Sequence, residues 1–491
     1  MLLTIVNTIN GYLWSMALIA MCLGIAVYYS VVMRFPQIRY IKTMVSSVKG
    51  GDSEQGITPF QAFAMALGGR IGIGTIAGVA TGIHFGGPGA VFWMWIYAIL
   101  GSATAFGEAV LAQIWKEDIK GEYRGGPAYY LRKTPIPALG SIFMVFAIFG
   151  FAFTGPTIQA FNIADSMYNA WGINQWVSGF AQAAVFGIVV IGGMRRIGRF
   201  AEYVVPFMAA IYMLVTVIIL IININAVPGM FMLIIKSAFN LEATYGAIIG
   251  SAIAWGIRRS VYSSEAGMGS GAHAAASSEV AHPVQQGMAQ AFSVYMTLIV
   301  CTCTALMIMV TGTYNVVDGQ GAYLYQGLPN IEEGIGYTQA AIDTLSPGTT
   351  LGSQFIALAI LFFAFTTLLS FGFYAEVNIA NYLKGSKHLK KVIVIIVCIQ
   401  MFAIVLGSVR SSTLAWGIAD IGVALSVWVN LFGMLFLGGV CAKCMKDYDN
   451  QIARDITKPI FNPEQAGIQG AELWNGISEK YYKKADQSSE G

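Results

Sequence analysis

Residues 68–101, GGRIGIGTIAGVATGIHFGGPGAVFWMWIYAILG, decide how the rest of this chain is read. They are apolar enough for a membrane helix, yet Gly72 and Gly74 stand two apart within the run. Each glycine weakens a helix by about 1 kcal/mol relative to alanine. Arg70, beside them, carries a charge that costs about 2.5 to 3.5 kcal/mol at a bilayer centre on insertion scales. Irregular backbone at membrane depth is tolerated only where protein buries it or where it lines a cavity. Carriers use such interruptions to present free amides and carbonyls to a solute and its ions. The stretch reads as a broken helix beside a cavity.

Working outward, the 491 residues are 56% hydrophobic and 11% charged, with a mean hydropathy of +0.64. Soluble domains carry about 25% charged residues, so this composition demands a lipid environment. Apolar runs of roughly the 20 residues that cross a bilayer fall at about 12–34, 58–84, 88–115, 139–170, 175–194, 200–222, 243–275, 284–312, 350–383, 391–409 and 412–442. The expected fold class is an all-α polytopic membrane protein with about eleven transmembrane helices.

Loop charges test that drawing independently. Alternate loops on one side collect Arg34, Arg39, Lys42 and Lys49, then Lys116, Lys120, Arg124, Arg132 and Lys133, then Arg195, Arg196 and Arg199. Lys384, Lys387, Lys390, Lys391 and every Lys and Arg from Lys443 onward fall on the same side. Only Lys236 and Arg410 lie in loops opposite, while Arg70, Arg258 and Arg259 lie within spans. Positive-inside asymmetry puts the N-terminus outside and the C-terminus in the cytoplasm. The net charge of +3 belongs to these short loops and is no nucleic-acid signal. No basic segment precedes the first apolar run, which is expected to remain as a span rather than to be cleaved.

Catalysis finds little support. His84, His273, His282 and His388 are scattered without metal-ligand spacing, and no nucleophile–base pair stands out. Cys22, Cys301, Cys303 and Cys398 sit in apolar runs as small hydrophobes, and Cys441 and Cys444 form a single CxxC with no second pair to complete a zinc site. The loop 313–349 is acidic, holding Asp318, Glu332, Glu333 and Asp343 without Lys or Arg, and predicts a short amphipathic helix near 331–344.

A second interruption stands 195 residues after the first. Gly72, Gly74 and Ala77 correspond to Gly267, Gly269 and Ala272 within RRSVYSSEAGMGSGAH (258–273), a stretch too polar for lipid contact. Five runs follow from each interruption with opposite direction. The expected organisation is therefore an extra N-terminal helix and loop (1–57), a five-helix repeat (58–222), an external connection (223–242), a second five-helix repeat (243–442) and a cytoplasmic tail (443–491), an inverted repeat of the kind transporters use.

The signature GGPGAVFWMWIYAILG at 86–101, with GVATGI at 78–83, GGPAYYL at 125–131, SSEAGMGS at 263–270, HPVQQG at 282–287 and FAFTT at 363–367, resembles the sodium:alanine (alanine or glycine:cation) symporter family. That family lies in the amino acid-polyamine-organocation superfamily, and the resemblance implies a LeuT-type five-plus-five fold with one extra N-terminal helix. It also implies sodium-coupled symport of a small neutral amino acid, alanine or glycine, across the plasma membrane, with sodium as coupling ion and no other cofactor.

A zwitterion at mid-membrane needs donors for its carboxylate and acceptors for its ammonium. The start of a half-helix supplies free amides and partial positive charge, and the family fold places these at Ile73, Gly74 and Thr75, with Gly72 and Gly74 leaving room to approach. Ser263, Ser264, Gly267 and Gly269 offer oxygens for the ammonium, Gln159 offers both a donor and an acceptor, and Trp255 and Met268 are candidates for the pocket wall. A helix-to-helix hydrogen bond is the alternative for Gln159, and plain helix packing is the stronger alternative for Trp255 and Met268 taken singly. The resemblance implies a sodium site from the carbonyls of Gly68 and Ile71 with Phe363, Thr366 and Thr367, which share one helix face; Thr366 and Thr367 are also able to bond their own helix. Arg70 and Glu265, beside the two breaks, are candidates for a gating pair, with static pairing as the alternative.

Three positions depart from the family pattern: Thr75 and Ser264 replace asparagines, and Met296 stands where many members carry an aspartate. Each loses an oxygen ligand, which puts a second ion site in doubt. Proton-coupled transport through Glu265 or Glu108, uncoupled transport, and a transport-related amino acid sensor are the competing readings. A cysteine introduced in the 313–349 loop should react with an impermeant reagent applied outside cells, and one at 384–390 should not. The reverse labelling pattern refutes the orientation.

Overall fold

Lipid leaves the chain few ways to satisfy its backbone, and the structure, a computed structural model describing residues 2–49, 53–191, 193–241 and 243–489, is almost wholly helical. Seven described helices are long and apolar enough to cross a membrane: Gly89–Ile114, Ala138–Trp171, Met194–Ile222, Pro283–Val310, Leu351–Tyr382, Leu389–Ser408 and Ser412–Met434. Leu2–Leu13 and Met16–Val32, bent by 43° at Trp14 and Ser15, pass the same test as a pair. The first helix thus begins ten residues before the predicted run. Its Asn10 and Trp14 depress the local hydropathy but are satisfied by protein, donating to the carbonyls of Gly417 (2.8 Å) and Asp420 (3.0 Å).

The two interrupted helices carry the architecture. Thr58 caps the first, exchanging hydrogen bonds with Gln61 in a capping box. Pro59–Arg70 stops at Ile71, a three-residue 3-10 turn covers Ile73–Thr75, and Ala77–Gly86 resumes the helix. The second runs Ile249–Ser264, stops at Glu265 in the left-handed region (φ 52°), and resumes at Ser270–Ala276. Gly269 (φ +78°) is needed at that restart, because a side chain would also collide with Pro127. Four helices follow each break: Gly89–Ile114, Ala138–Trp171, Gln175–Val190 and Met194–Ile222 after the first, and Pro283–Val310, Leu351–Tyr382, Leu389–Ser408 and Ser412–Met434 after the second.

Several details differ from expectation. The 412–442 run is two helices, since the chain turns after Met434 and restarts as Gly438–Ile452. The 223–242 connection contains the helix Val227–Ala238, and the 313–349 loop holds a two-stranded hairpin, Asn315–Val317 with Tyr323–Gln326, before the helix Ile335–Asp343. Ala138–Trp171 contains a π-turn at Gly150–Thr154. Of the segments delimited from sequence, residues 1, 50–52, 192, 242, 490 and 491 lie outside the described residues.

At the lysine- and arginine-rich end, the final helix Leu473–Ser489 lies across the bundle as a strap. Trp474 is fully buried and donates to the Gln113 carbonyl at 2.8 Å. Lys480 reaches Glu279 (2.5 Å) and Glu54 (2.9 Å), while Glu279 accepts from the amides of Glu54 and Gln55 at 2.9 and 3.1 Å. The strap thereby joins the segment entering the first broken helix to the segment leaving the second. Removing a buried tryptophan costs about 3 to 5 kcal/mol, whereas an exposed ion pair such as Lys484–Glu54 is worth under about 1 kcal/mol. Trp474→Ala should therefore expose the tail to limited proteolysis at much lower protease concentration, and Lys484→Ala should leave the cleavage profile unchanged.

Candidate functional site

The two breaks meet each other. A methyl group added to Gly74 would lie 3.0 Å from the Ser263 Cα and from the Tyr262 ring, so the 3-10 turn of the first helix packs directly on the last turn before the second break. Beside this contact lies a cavity of about 20 Å³, room for one or two water molecules. Gly69, Arg70, Gly72 and Gly74 line it from the first broken helix and Tyr262, Glu265 and Met268 from the second. Gly150, Thr154, Gly155 and Gln159 close it from the π-turn and the helix that continues it, with Phe371, Ala419 and Val423 opposite.

Gln159 is the informative residue here. Its side chain is buried, its Oε1 has no hydrogen-bond partner, and a side chain on Gly72 would stand 3.5 Å from that oxygen. A buried unpaired carbonyl costs about 1 to 3 kcal/mol, and an ammonium in the cavity would relieve that cost. On the donor side, the 3-10 turn leaves the amides of Ile73 and Gly74 at its N-terminal end, where a short helix has no internal acceptors for them.

Other predicted residues are placed differently. The amide and hydroxyl of Thr75 both bond the Gly72 carbonyl, at 3.3 and 2.9 Å, and are spent inside the turn. The Ser263 and Ser264 hydroxyls bond back to the Ser260 carbonyl (3.3 and 2.6 Å) and line a separate void of about 10 Å³ with Thr297 and Cys301. Gly267 and Gly269 face Tyr97, Pro127 and Asn430, away from the cavity, and only Met268 of that run faces it. Trp255 lies about two turns before the break, stacked on Phe85 (4.5 Å) and covered by the guanidiniums of Arg258 and Arg259. Tyr262, two turns further on, takes the wall position.

Arg70 and Glu265 both line the cavity but form no ion pair. Arg70 bonds the Gln290 side chain (2.7 Å) and Ser293, while Glu265 accepts from Ser270 (2.6 Å). A charged and aromatic layer lies elsewhere: Arg258 and Arg259 both bind Asp420, Arg259 lies 4.5 Å over Trp416, and Trp416 meets Tyr262 at 5.3 Å. This layer separates the cavity from a vestibule of about 400 Å³ lined by Asp165, Glu332, Glu333, Asp343 and Trp416. Asp420 and Trp416 gave no sequence signal beyond being polar or aromatic residues inside an apolar run.

A second cluster is made of oxygens alone. Thr367 Oγ1 lies 2.8 Å from the Gly68 carbonyl, 3.4 Å from that of Gly69 and 3.1 Å from that of Phe363. Thr366 Oγ1 lies 3.4 Å from the Gly68 carbonyl and 2.9 Å from that of Phe363. Ile71 makes no hydrogen bond to either threonine, and Gly69 occupies its expected place. Hard oxygen donors without a carboxylate suit a weakly charged hard cation better than a divalent one. Among the described residues, no group of three or more His, Cys, Asp or Glu side chains is arranged to hold a metal.

The sequence profile of the sodium:alanine symporter family matches residues 1–463. YrbD of Bacillus subtilis (strain 168) is 44% identical over 472 residues, covering 96% of this chain and 97% of that protein. The sodium/proton-dependent alanine carrier protein of Bacillus sp. (strain PS3) is 43% identical over 441 residues, covering 89% and 97%. Among solved structures, MhsT in complex with L-phenylalanine superposes with a TM-score of 0.54 at 12% identity, over 80% of this chain and 99% of that one, which shows the LeuT-type fold. With two broken helices packed on one cavity, a five-plus-five helix order and a profile match over nearly its whole length, this chain belongs to the sodium:alanine symporter family, whose members are membrane transporters and not enzymes.

Proposed function

We propose that this protein couples sodium entry to uptake of alanine or glycine across the plasma membrane, with its N-terminus outside and its C-terminus in the cytoplasm. The observation that carries the reading is the unpaired Gln159 oxygen facing a very small cavity between two helix breaks. The amides of Ile73 and Gly74 receive the substrate carboxylate, Gln159 and the Glu265 carboxyl face its ammonium, and Tyr262, Met268, Phe371 and Ala419 limit its side chain. Sodium sits among the oxygens of Gly68, Gly69, Phe363, Thr366 and Thr367, next to Gly72, whose added side chain would collide with Thr367. Ion and substrate thus share one short stretch of backbone, the last turn of Pro59–Arg70 and the 3-10 turn after it, and filling either position orders it for the other. The similarity to the sodium/proton-dependent alanine carrier of Bacillus sp. (strain PS3) supports the same class of activity. On this orientation the acidic vestibule faces outside, and the tyrosine–tryptophan–arginine layer closes above the substrate.

Uptake into proteoliposomes tests the reading. Alanine and glycine should compete for labelled alanine at far lower concentration than leucine or phenylalanine, and equal competition by the bulky amino acids sinks the small-substrate assignment. Gly74→Val places a branched side chain against Ser263 and should weaken apparent affinity by more than about tenfold, or 1.4 kcal/mol, while the protein still inserts. Uptake should rise hyperbolically with sodium, and Thr366→Ala with Thr367→Ala should abolish that dependence. Full uptake driven by a pH gradient without sodium would instead favour a proton-coupled carrier.

A further inference from the structure

We propose that Glu108 is a proton-binding site whose proton is linked to the geometry of the second helix break. The argument deepens the coupled-transport reading and rests on it. Three charged side chains occupy the middle of the bundle, Arg70, Glu265 and Glu108, each no more than 2% exposed. One guanidinium balances one carboxylate. Arg258 and Arg259 are committed to Asp420, and Arg259 also faces Glu333 of the vestibule, so among the described residues no second cation reaches the centre. An unpaired carboxylate in a buried, low-dielectric interior costs far more than protonating it.

Geometry selects Glu108 over Glu265. Glu265 lines the cavity and accepts from Ser270 at 2.6 Å. Glu108 lines neither that cavity, nor the vestibule, nor the void beside Ser263; its Oε1 accepts from Asn430 Nδ2 at 2.7 Å, and its Oε2 is buried without a partner. The hydroxyls that face it are all committed: Tyr29 donates to the Met434 carbonyl (2.8 Å), Tyr97 to the Ala266 carbonyl (2.9 Å) and Tyr130 to Asn430 Oδ1 (2.6 Å). The amides of Gly267 and Gly269 lie nearby but do not bond Oε2, and Arg70 is the one cation facing it. Asn430 Nδ2 donates at once to Glu108 and, at 2.9 Å, to the Gly267 carbonyl. Losing the proton would draw Asn430 and the nearby glycine amides toward a new carboxylate, and Met268, next in the chain, walls the substrate cavity. Proton occupancy at Glu108 is thereby read by the binding site without either ligand touching the acid.

Equilibrium binding of alanine to the purified full-length protein, at saturating sodium and from about pH 6 to about pH 9, tests this. Wild-type affinity should fall as pH rises, toward about tenfold per pH unit for one required proton, and Glu108→Gln, which mimics the protonated acid, should make the profile flat. Infrared difference spectra should show a protonated-carboxyl carbonyl band that disappears in Glu108→Gln and survives in Glu265→Gln. A wild-type pH profile retained by Glu108→Gln, or a band lost only in Glu265→Gln, overturns the proposal. If Glu108→Gln fails to fold, Glu108→Asp serves in its place: a displaced pH profile supports the assignment and an unmoved one refutes it. Failure to bind alanine with sodium at any pH would refute the transport reading instead, so the two failures are distinguishable.

Discussion

Every backbone amide and carbonyl in hydrocarbon must find a partner inside the protein, and the two helix breaks are the places where this chain leaves some of them open. The rest of the molecule follows from containing that exposure. The breaks pack on each other through Gly74 and Ser263, the helices bearing Gln159 and Thr367 cover their flanks, and what remains uncovered is a cavity with room for one or two water molecules. Bulkier residues at Gly72 or Gly74 would close that space, which is why the costly glycines persist in otherwise good helices.

Charge is contained by the same logic in layers. Nearest the acidic vestibule, two arginines share Asp420 beneath a tryptophan. At the centre Arg70 rests on neutral partners, Gln290 and Ser293, leaving its field to act on two carboxyls at once. At the basic end Arg124 holds Glu376 at 2.6 Å, and the C-terminal strap joins Glu54 to Glu279. The central and basic-end contacts join the two halves of the chain or the tail, whereas Arg258, Arg259, Asp420 and Trp416 all lie in the second half.

Much of this was legible in the sequence because its signals are local. Glycine pairs in apolar runs mark the breaks, the Thr366–Thr367 pair marks the oxygen cluster, and a lone Gln159 in an apolar helix marks a polar contact. What escaped depends on facing direction or on distant partners. Ser263 and Ser264 look like ligands by type, but on a helix that continues through Ser264 their hydroxyls turn back to Ser260. Trp255 and Tyr262 are two turns apart on one helix, and only the depth of the break tells which reaches the cavity. Arg70 and Glu265 appear complementary in one dimension, yet Gln290, 220 residues away, captures the arginine first. Asp420 becomes meaningful only once Arg258 and Arg259 are seen beside it.

The π-turn at Gly150–Thr154 gives the site a particular vulnerability to changes in chain length. A π-turn behaves as an α-helix carrying one extra residue, and each residue rotates a helix by about 100°. Deleting a single residue there would let the turn close into regular helix while the helix on either side keeps its facing, so Gln159 would stay on the cavity side but Gly150, Thr154 and Gly155 would no longer line it as a widened turn. The same deletion placed in the regular helix between Gly155 and Gln159 would instead turn Gln159 about 100° away. The space opened by the wide turn is therefore set by its length as well as by its residues.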